Sequence, residues 1–171
     1  MIEADKPLLG FAAYSGTGKT TLLIKLLPLL KMQGLRIGMI KHSHHRFEID
    51  VPGKDSYELR KAGAAQILLT SQHRWALIED RPETQEPQLQ EELGRLDQAM
   101  LDLVLVEGFR HEAFPKIELH RPSLNKPLLY LDDPNIIAIA TDAQLPTSTE
   151  LPILDINDAS AVADFVVNTI C

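Results

Sequence analysis

The chain has 171 residues, 44% of them apolar, and a net charge of −7. That is length enough for one ordinary domain with a core that needs no staples, and an acidity that repels the phosphates of nucleic acids and anionic membranes, so neither is expected as a partner. Cys171 is the one cysteine, no apolar run reaches the ~20 residues of a membrane helix, and the start MIEADKPLLG lacks the basic opening of a secretory leader, so a reducing, cytoplasmic setting is expected.

In chain order, residues 8–14 (LLGFAAY) form a short apolar run that reads as a buried strand. Residues 19–33 carry apolar side chains at helical spacing and stop before Gly34, a C′ glycine. Pro28 falls inside that helix and is expected to kink it, because its ring displaces the bond to the Ile24 carbonyl. RIGMIK, residues 36–41, is a second strand, and a polar loop follows it. A helix is expected over 56–62, ended by Gly63, with strands over 65–70 and 75–79 and a proline-bearing polar loop over 80–87. Residues 89–100 read as an amphipathic helix, and 101–106 (LDLVLV) as a strand. Residues 136–140 make another strand, and Asp158 caps a last helix over 159–170. Strands alternating with helices predict an α/β fold, a mainly parallel sheet flanked by helices in three αβα layers. The whole of 1–171 reads as a single domain.

Between the first strand and the first helix lies SGTGKTT, residues 15–21. Successive backbone N–H groups in such a turn form an anion-binding nest, and the helix N-terminus adds its positive dipole. Gly16 and Gly18 let the backbone approach phosphate oxygens, Lys19 reaches the β- and γ-phosphates, and the Thr20 hydroxyl is placed to ligate Mg²⁺. Ser15, Thr17 and Thr21 complete the phosphate-binding set. The Walker A pattern is met with one departure, Ala13 in place of the usual first glycine. The expected fold is therefore that of a P-loop NTPase with one nucleotide-binding domain.

A second strand end must serve the metal, and LDLVLVEG supplies Glu107 at the carboxyl end of its strand, where ligands of open α/β sheets bind. A carboxylate there holds Mg²⁺, directly or through water, or orients an attacking water. Aspartate is usual at this place, and the longer Glu favours the outer-shell role. The loop KHSHH, residues 41–45, and the segment DVPGKDS after it have the donors and acceptors of a switch that orders on triphosphate and Mg²⁺. Lys41 is assigned to the nucleotide, and Asp50 and Asp55 to the catalytic side near Mg²⁺, with no basis for ranking one aspartate over the other. Arg110 is the nearest arginine to the expected phosphates, and it suits either a phosphate or an acidic group of a partner. His42, His44 and His45 invite a nickel or zinc reading, although strand alternation puts His45 opposite the other two. For the base, Asp142 at the end of IIAIAT is the candidate acceptor of the guanine edge. NKPL, residues 125–128, has leucine where an Asn-Lys-x-Asp motif needs aspartate.

With the Walker A loop, KHSHH, DVPGKDSYELRKAGA, LVEGF and ATD in this order, the chain resembles the molybdopterin-guanine dinucleotide biosynthesis adaptor proteins of the MobB type, over about residues 6–170. The resemblance implies a P-loop GTPase that binds GTP and Mg²⁺, hydrolyses GTP weakly and forms a homodimer. It implies as partner the guanylyltransferase that attaches GMP to molybdopterin, and molybdopterin itself as a ligand passed onward. Under it, residues 15–21 hold the phosphates and Glu107 takes the Walker B place. Phe109 and Phe114 are the apolar residues expected to be exposed for dimer contact. Two other classes stay open: a small-molecule kinase, for which the acidic segment 80–92 makes a poor lid, and a nickel- or zinc-delivery GTPase using the histidines.

Overall fold

A computed structural model of the chain describes residues 2–43, 47–81 and 86–171. They fall into two compact units, one formed by Met1–His42 with Pro87–Cys171, the other by Ser43–Glu86.

The first unit is built on six strands: β1 (Leu8–Ala12), β2 (Ile37–Lys41), β5 (Leu103–Glu107), β6 (Lys116–His120), β7 (Ile136–Thr141) and β8 (Ile153–Asp155). Every pairing among them is parallel, in the spatial order β2-β5-β1-β6-β7-β8. A parallel sheet is covered on both faces, which is why LLGFA and LVLVE are buried at all five positions. On one face Leu9, Phe11, Leu103 and Leu105 meet Leu26 and Leu30 of α1 (Lys19–Met32) and Val162 and Val166 of α4 (Ala159–Thr169). On the other, Leu8, Val104 and Val106 pack with Phe114 and with Leu89 and Leu93 of α3 (Leu89–Leu93). The period-2 alternation of each strand thus feeds two cores, giving the expected three layers. Later strands leave β1 on the side opposite β2 and β5, so the order reverses at β1, and ligand crevices in open α/β sheets form at the carboxyl ends of strands at such a reversal.

Most expected elements are present within a residue or two. Helix α1 runs unbroken to Met32 with Pro28 inside it, and ends at Gly34 with φ +86° and the Leu35 N–H bonded to the Leu30 carbonyl at 3.3 Å. Asp158 caps α4 by accepting from the amides of Ser160 and Ala161, both at 3.0 Å. The helix expected over 89–100 is shorter: α3 stops at Leu93, Gly94 follows as its cap, and a separate 3₁₀ turn covers Gln98–Met100. Two strands were not anticipated, β6 and β8.

β6, KIELH, is buried throughout even though three of its five residues are polar or ionisable. Ile117 and Leu119 enter the α1 face, and Lys116, Glu118 and His120 turn the other way. Each charge there finds a partner: Lys116 Nζ bonds Asp133 at 3.0 Å and the Glu112 carbonyl at 2.6 Å. The Glu118 carboxylate accepts the amides of Leu129 and Tyr130, both at 2.8 Å. Burial pushes the Glu118 carboxyl above its ordinary range, and those two amides pull the other way.

The second unit holds α2 (Asp55–Lys61) and an antiparallel hairpin of β3 (Gln66–Thr70) and β4 (Trp75–Glu79). Gly63, at φ +114°, ends the helix as expected. Arg60 is buried at the centre of the unit, bonded to Asp50 at 2.9 Å, to Asp80 at 2.9 and 3.0 Å, and to Glu48. The hairpin exposes Leu68, Trp75 and Leu77. Among the described residues no helix is long and apolar enough to cross a membrane.

Candidate phosphate-binding site

Beyond β1 the backbone takes two left-handed steps, Gly16 at φ +83° and Gly18 at φ +100°, a conformation that costs any other residue type. Thr17 between them is 2% exposed and tied down: its hydroxyl donates to the Tyr14 carbonyl at 2.8 Å, and its amide to the same oxygen at 3.4 Å. Gly18 caps α1, and its carbonyl accepts the Leu22 amide at 2.9 Å. Among the described residues no protein acceptor takes the amides of Gly16, Gly18, Lys19 or Thr20. Four orphan donors around a glycine turn at the positive end of a 14-residue helix form a preorganised anion cradle. Ser15, Thr20 and Thr21 are exposed on its rim.

Glu107 ends β5 beside this turn, its backbone in register with Phe11 on one side and Lys41 on the other. Its carboxylate lies between two ammonium groups, Lys41 Nζ at 2.9 Å and Lys19 Nζ at 3.7 Å, with only 11% of the side chain exposed. Lys19, Lys41 and Glu107, separated widely in sequence, are thereby brought to one place. An arriving phosphate competes with Glu107 for both lysines. The oxygen donors present, the Thr20 hydroxyl and the Glu107 carboxylate, suit a hard cation such as Mg²⁺. After Glu107 the chain turns sharply, with Gly108 at φ +101° and Phe109 at φ +50°, and the Phe109 ring stacks on His42 at 4.8 Å between centroids.

Asp142, one residue beyond β7, forms an ion pair with Arg121 Nη1. Arg121 is a residue at this turn that the sequence pattern did not disclose. It directly follows β6, its Nε donates to the Thr17 carbonyl at 2.9 Å, and its Nη2 donates to Asn157 Oδ1 at 3.2 Å. The only signal for it in sequence was its place after a strand that the polar pattern of KIELH disguised.

Asp50 and Asp55 belong to the second unit. Asp50 is buried against Arg60, and Asp55 is exposed in the first turn of α2. His44 and His45 lie outside the described residues, among which no group of three His, Cys, Asp or Glu side chains could hold a metal ion. Arg110 is exposed, its Nε 3.2 Å from His111 Nε2. Phe109 and Phe114, expected to be exposed, are instead core residues at 9% and 4% exposure, because both pack beneath α3. In NKPL, Leu128 is buried, and Lys126 Nζ lies 5.9 Å from the centre of the Tyr14 ring.

A glycine turn between β1 and α1, a lysine at its exit, a carboxylate on the neighbouring strand and a parallel sheet reversing at β1 define an α/β protein of the P-loop NTPase-like class. Comparison with known proteins narrows this. The profile of the family described as molybdopterin guanine dinucleotide synthesis protein B (MobB) matches residues 8–142. The chain is 53% identical over 162 residues to the molybdopterin-guanine dinucleotide biosynthesis adapter protein of Escherichia coli K12, covering 94% of this chain and 91% of that one. It is 44% identical to the corresponding Haemophilus influenzae protein over 95% of this chain and 88% of the other. The crystal structure of Bacillus subtilis MobB superposes with a TM-score of 0.74 at 25% identity, covering 96% of this chain and 98% of that structure. The chain belongs to the MobB family.

Proposed function

We propose that the protein is a GTP-binding adaptor with weak GTPase activity, which assists the attachment of GMP to molybdopterin through contact with the guanylyltransferase, in the cytoplasm. The names borne by its relatives at 53% and 44% identity support the pathway. The single observation that carries the nucleotide is the cradle of Gly16, Gly18, Lys19 and Thr20 amides facing the Lys19–Glu107–Lys41 cluster. In this reading Lys19 and Lys41 exchange Glu107 for phosphate oxygens, and Asp142 reads the guanine edge. Thr20 and Glu107 are the oxygen donors that would hold Mg²⁺. When bound, the metal neutralises phosphate charge. Asp50 is committed to Arg60 within the second unit. Arg121, the arginine packed against the turn, spends its Nε on the Thr17 carbonyl, which accords with slow hydrolysis.

Thermal unfolding with GTP or ATP, each with Mg²⁺, tests the reading, since a ligand that binds only the folded state raises the midpoint. GTP should raise it and ATP should raise it less. Equal shifts sink the guanine assignment, and no shift with either sinks the nucleotide site. For the adaptor role, the protein should co-sediment with the guanylyltransferase, and its failure to do so with GTP present removes that partner.

The homodimer is proposed on the second unit. A two-stranded hairpin is marginal by itself, and this one leaves Trp75 70%, Leu68 61% and Leu77 48% exposed. A second copy would cover them. Trp75→Glu should convert a sedimenting dimer to monomer, whereas an unchanged mass would rule the hairpin out.

A further inference from the structure

Arg121 stands at the end of β6, beside the phosphate cradle. Its guanidinium reaches three separate segments with three different nitrogens: the phosphate loop through the Thr17 carbonyl, the end of β7 through Asp142, and the chain after β8 through Asn157. It also packs against the turn, since a Cβ placed on Gly18 would lie 3.7 Å from Nη2 and 3.9 Å from Nε. Thr17 is almost fully buried and its carbonyl has no other donor among the described residues, not even the Thr21 amide that a further helical turn would supply.

The peptide joining Thr17 to Gly18 is trans. In a planar trans peptide the carbonyl and the N–H point in opposite directions. A group that fixes the Thr17 oxygen therefore also fixes the Gly18 N–H, aiming it away from Arg121. That N–H is one of the cradle's orphan donors. The cation on the carbonyl side further polarises the peptide and strengthens the N–H as a donor. Asp142 and Asn157 keep the guanidinium plane from turning, so the ends of β7 and β8 are braced to the loop.

We propose that Arg121 is a positioning residue of the phosphate site, which holds the Thr17–Gly18 peptide so that the Gly18 N–H is preset for an anion. The proposal rests on the nucleotide reading above for its purpose, but its geometry is testable without nucleotide. Arg121 touches no phosphate in this assignment. It acts on the anion through the backbone, so its effect is read with a probe that carries no base.

The test compares the parent with Arg121→Lys, which keeps the charge but loses the fork that meets several acceptors at once. The first readout is the Gly18 amide resonance in nucleotide-free protein by ¹H–¹⁵N correlation. The second is the affinity for inorganic tripolyphosphate with Mg²⁺, a probe with no base. The Gly18 resonance should move, and tripolyphosphate binding should weaken about tenfold, the scale of one lost charge-assisted hydrogen bond. Amides remote from the loop should stay in place. In Arg121→Ala, guanidinium ion well below unfolding concentrations should restore part of the affinity; should that variant fail to fold, the lysine variant decides alone. An unmoved Gly18 resonance overturns the proposal whatever happens to affinity, as does a moved resonance with unchanged tripolyphosphate binding. If the parent itself binds no triphosphate, the nucleotide reading falls and the Gly18 resonance alone decides for or against Arg121.

Discussion

Replacing Lys19 by alanine separates ligand binding from folding. An ammonium about 4 Å from a phosphate charge is worth about 4 kcal/mol at an effective permittivity of about 20. Part of that is offset, because in the free protein Lys19 already has the Glu107 carboxylate at 3.7 Å and must leave it. The net value of a charge-assisted hydrogen bond, about 1.5–3 kcal/mol, is the better guide. Lys19→Ala should then weaken GTP about 10- to 150-fold, at about 1.4 kcal/mol per factor of ten. Stability should scarcely move. The ion pair lost is long and partly exposed, worth at most about 1 kcal/mol. The positive charge removed stood at a helix N-terminus, where it opposed the dipole by about 0.3–1 kcal/mol. These two effects oppose each other, and Glu107 retains Lys41 at 2.9 Å. Isothermal titration with GTP and Mg²⁺, alongside urea unfolding of the free protein, reads both quantities. GTP affinity within threefold of the parent, in a variant that unfolds at the same urea concentration, would refute the role given to Lys19.

Gly108→Ala should lower stability by about 2–4 kcal/mol, since the backbone there is left-handed and the new Cβ would stand 2.6 Å from the Cβ of His42. Gly63→Ala, equally left-handed but with nothing within 4 Å, isolates the backbone cost at about 1–2 kcal/mol, and equal losses in the two variants would remove the clash from the argument. The Arg36 side chain and amide together hold the Asp102 carboxyl well below its ordinary 3.8. The unfolded chain therefore takes up that proton first as pH falls, so the stability Asp102 confers is complete above about pH 4 and drains away below it. In Asp102→Asn the decline of the unfolding midpoint below pH 4 should be shallower than in the parent, and parallel curves would deny the pair any part in acid stability.

The elements that could be read from sequence are those whose burial agrees with their composition. LLGFA and the LVLV that precedes Glu107 are apolar throughout and buried throughout, so β1 and β5 announced themselves, and with them the glycine turn and Glu107. β6 did not, because KIELH alternates as a half-solvated strand does while both its faces are buried. What makes that tolerable lies elsewhere in the chain: Asp133 for Lys116, and the Leu129 and Tyr130 amides for Glu118. No local pattern reports a partner more than ten residues away. The same distance hid Arg121, whose three acceptors come from three other segments. The opposite error befell Phe109 and Phe114, which sit in the polar stretch after Gly108, yet fill the core under α3. Local polarity misjudged them because α3, which covers them, comes well before them in the chain.

β6 also explains why a polar strand belongs beside β1. An apolar strand there would have filled its face with side chains and needed a helix to cover them. KIELH is instead covered by the chain that follows it, residues 121–135, whose backbone amides and Asp133 are consumed in satisfying Glu118 and Lys116. That leaves the segment tied down at its middle and at its far end. Its first residue, Arg121, is anchored to Asp142 and Asn157 as well. Buried ion pairs add little net stability compared with apolar packing, because desolvation offsets much of their attraction. Their value here is geometric: an arginine that must hold one carbonyl in the phosphate loop needs a stem that does not drift. The polar residues of β6 supply that fixed stem at the strand end nearest the loop.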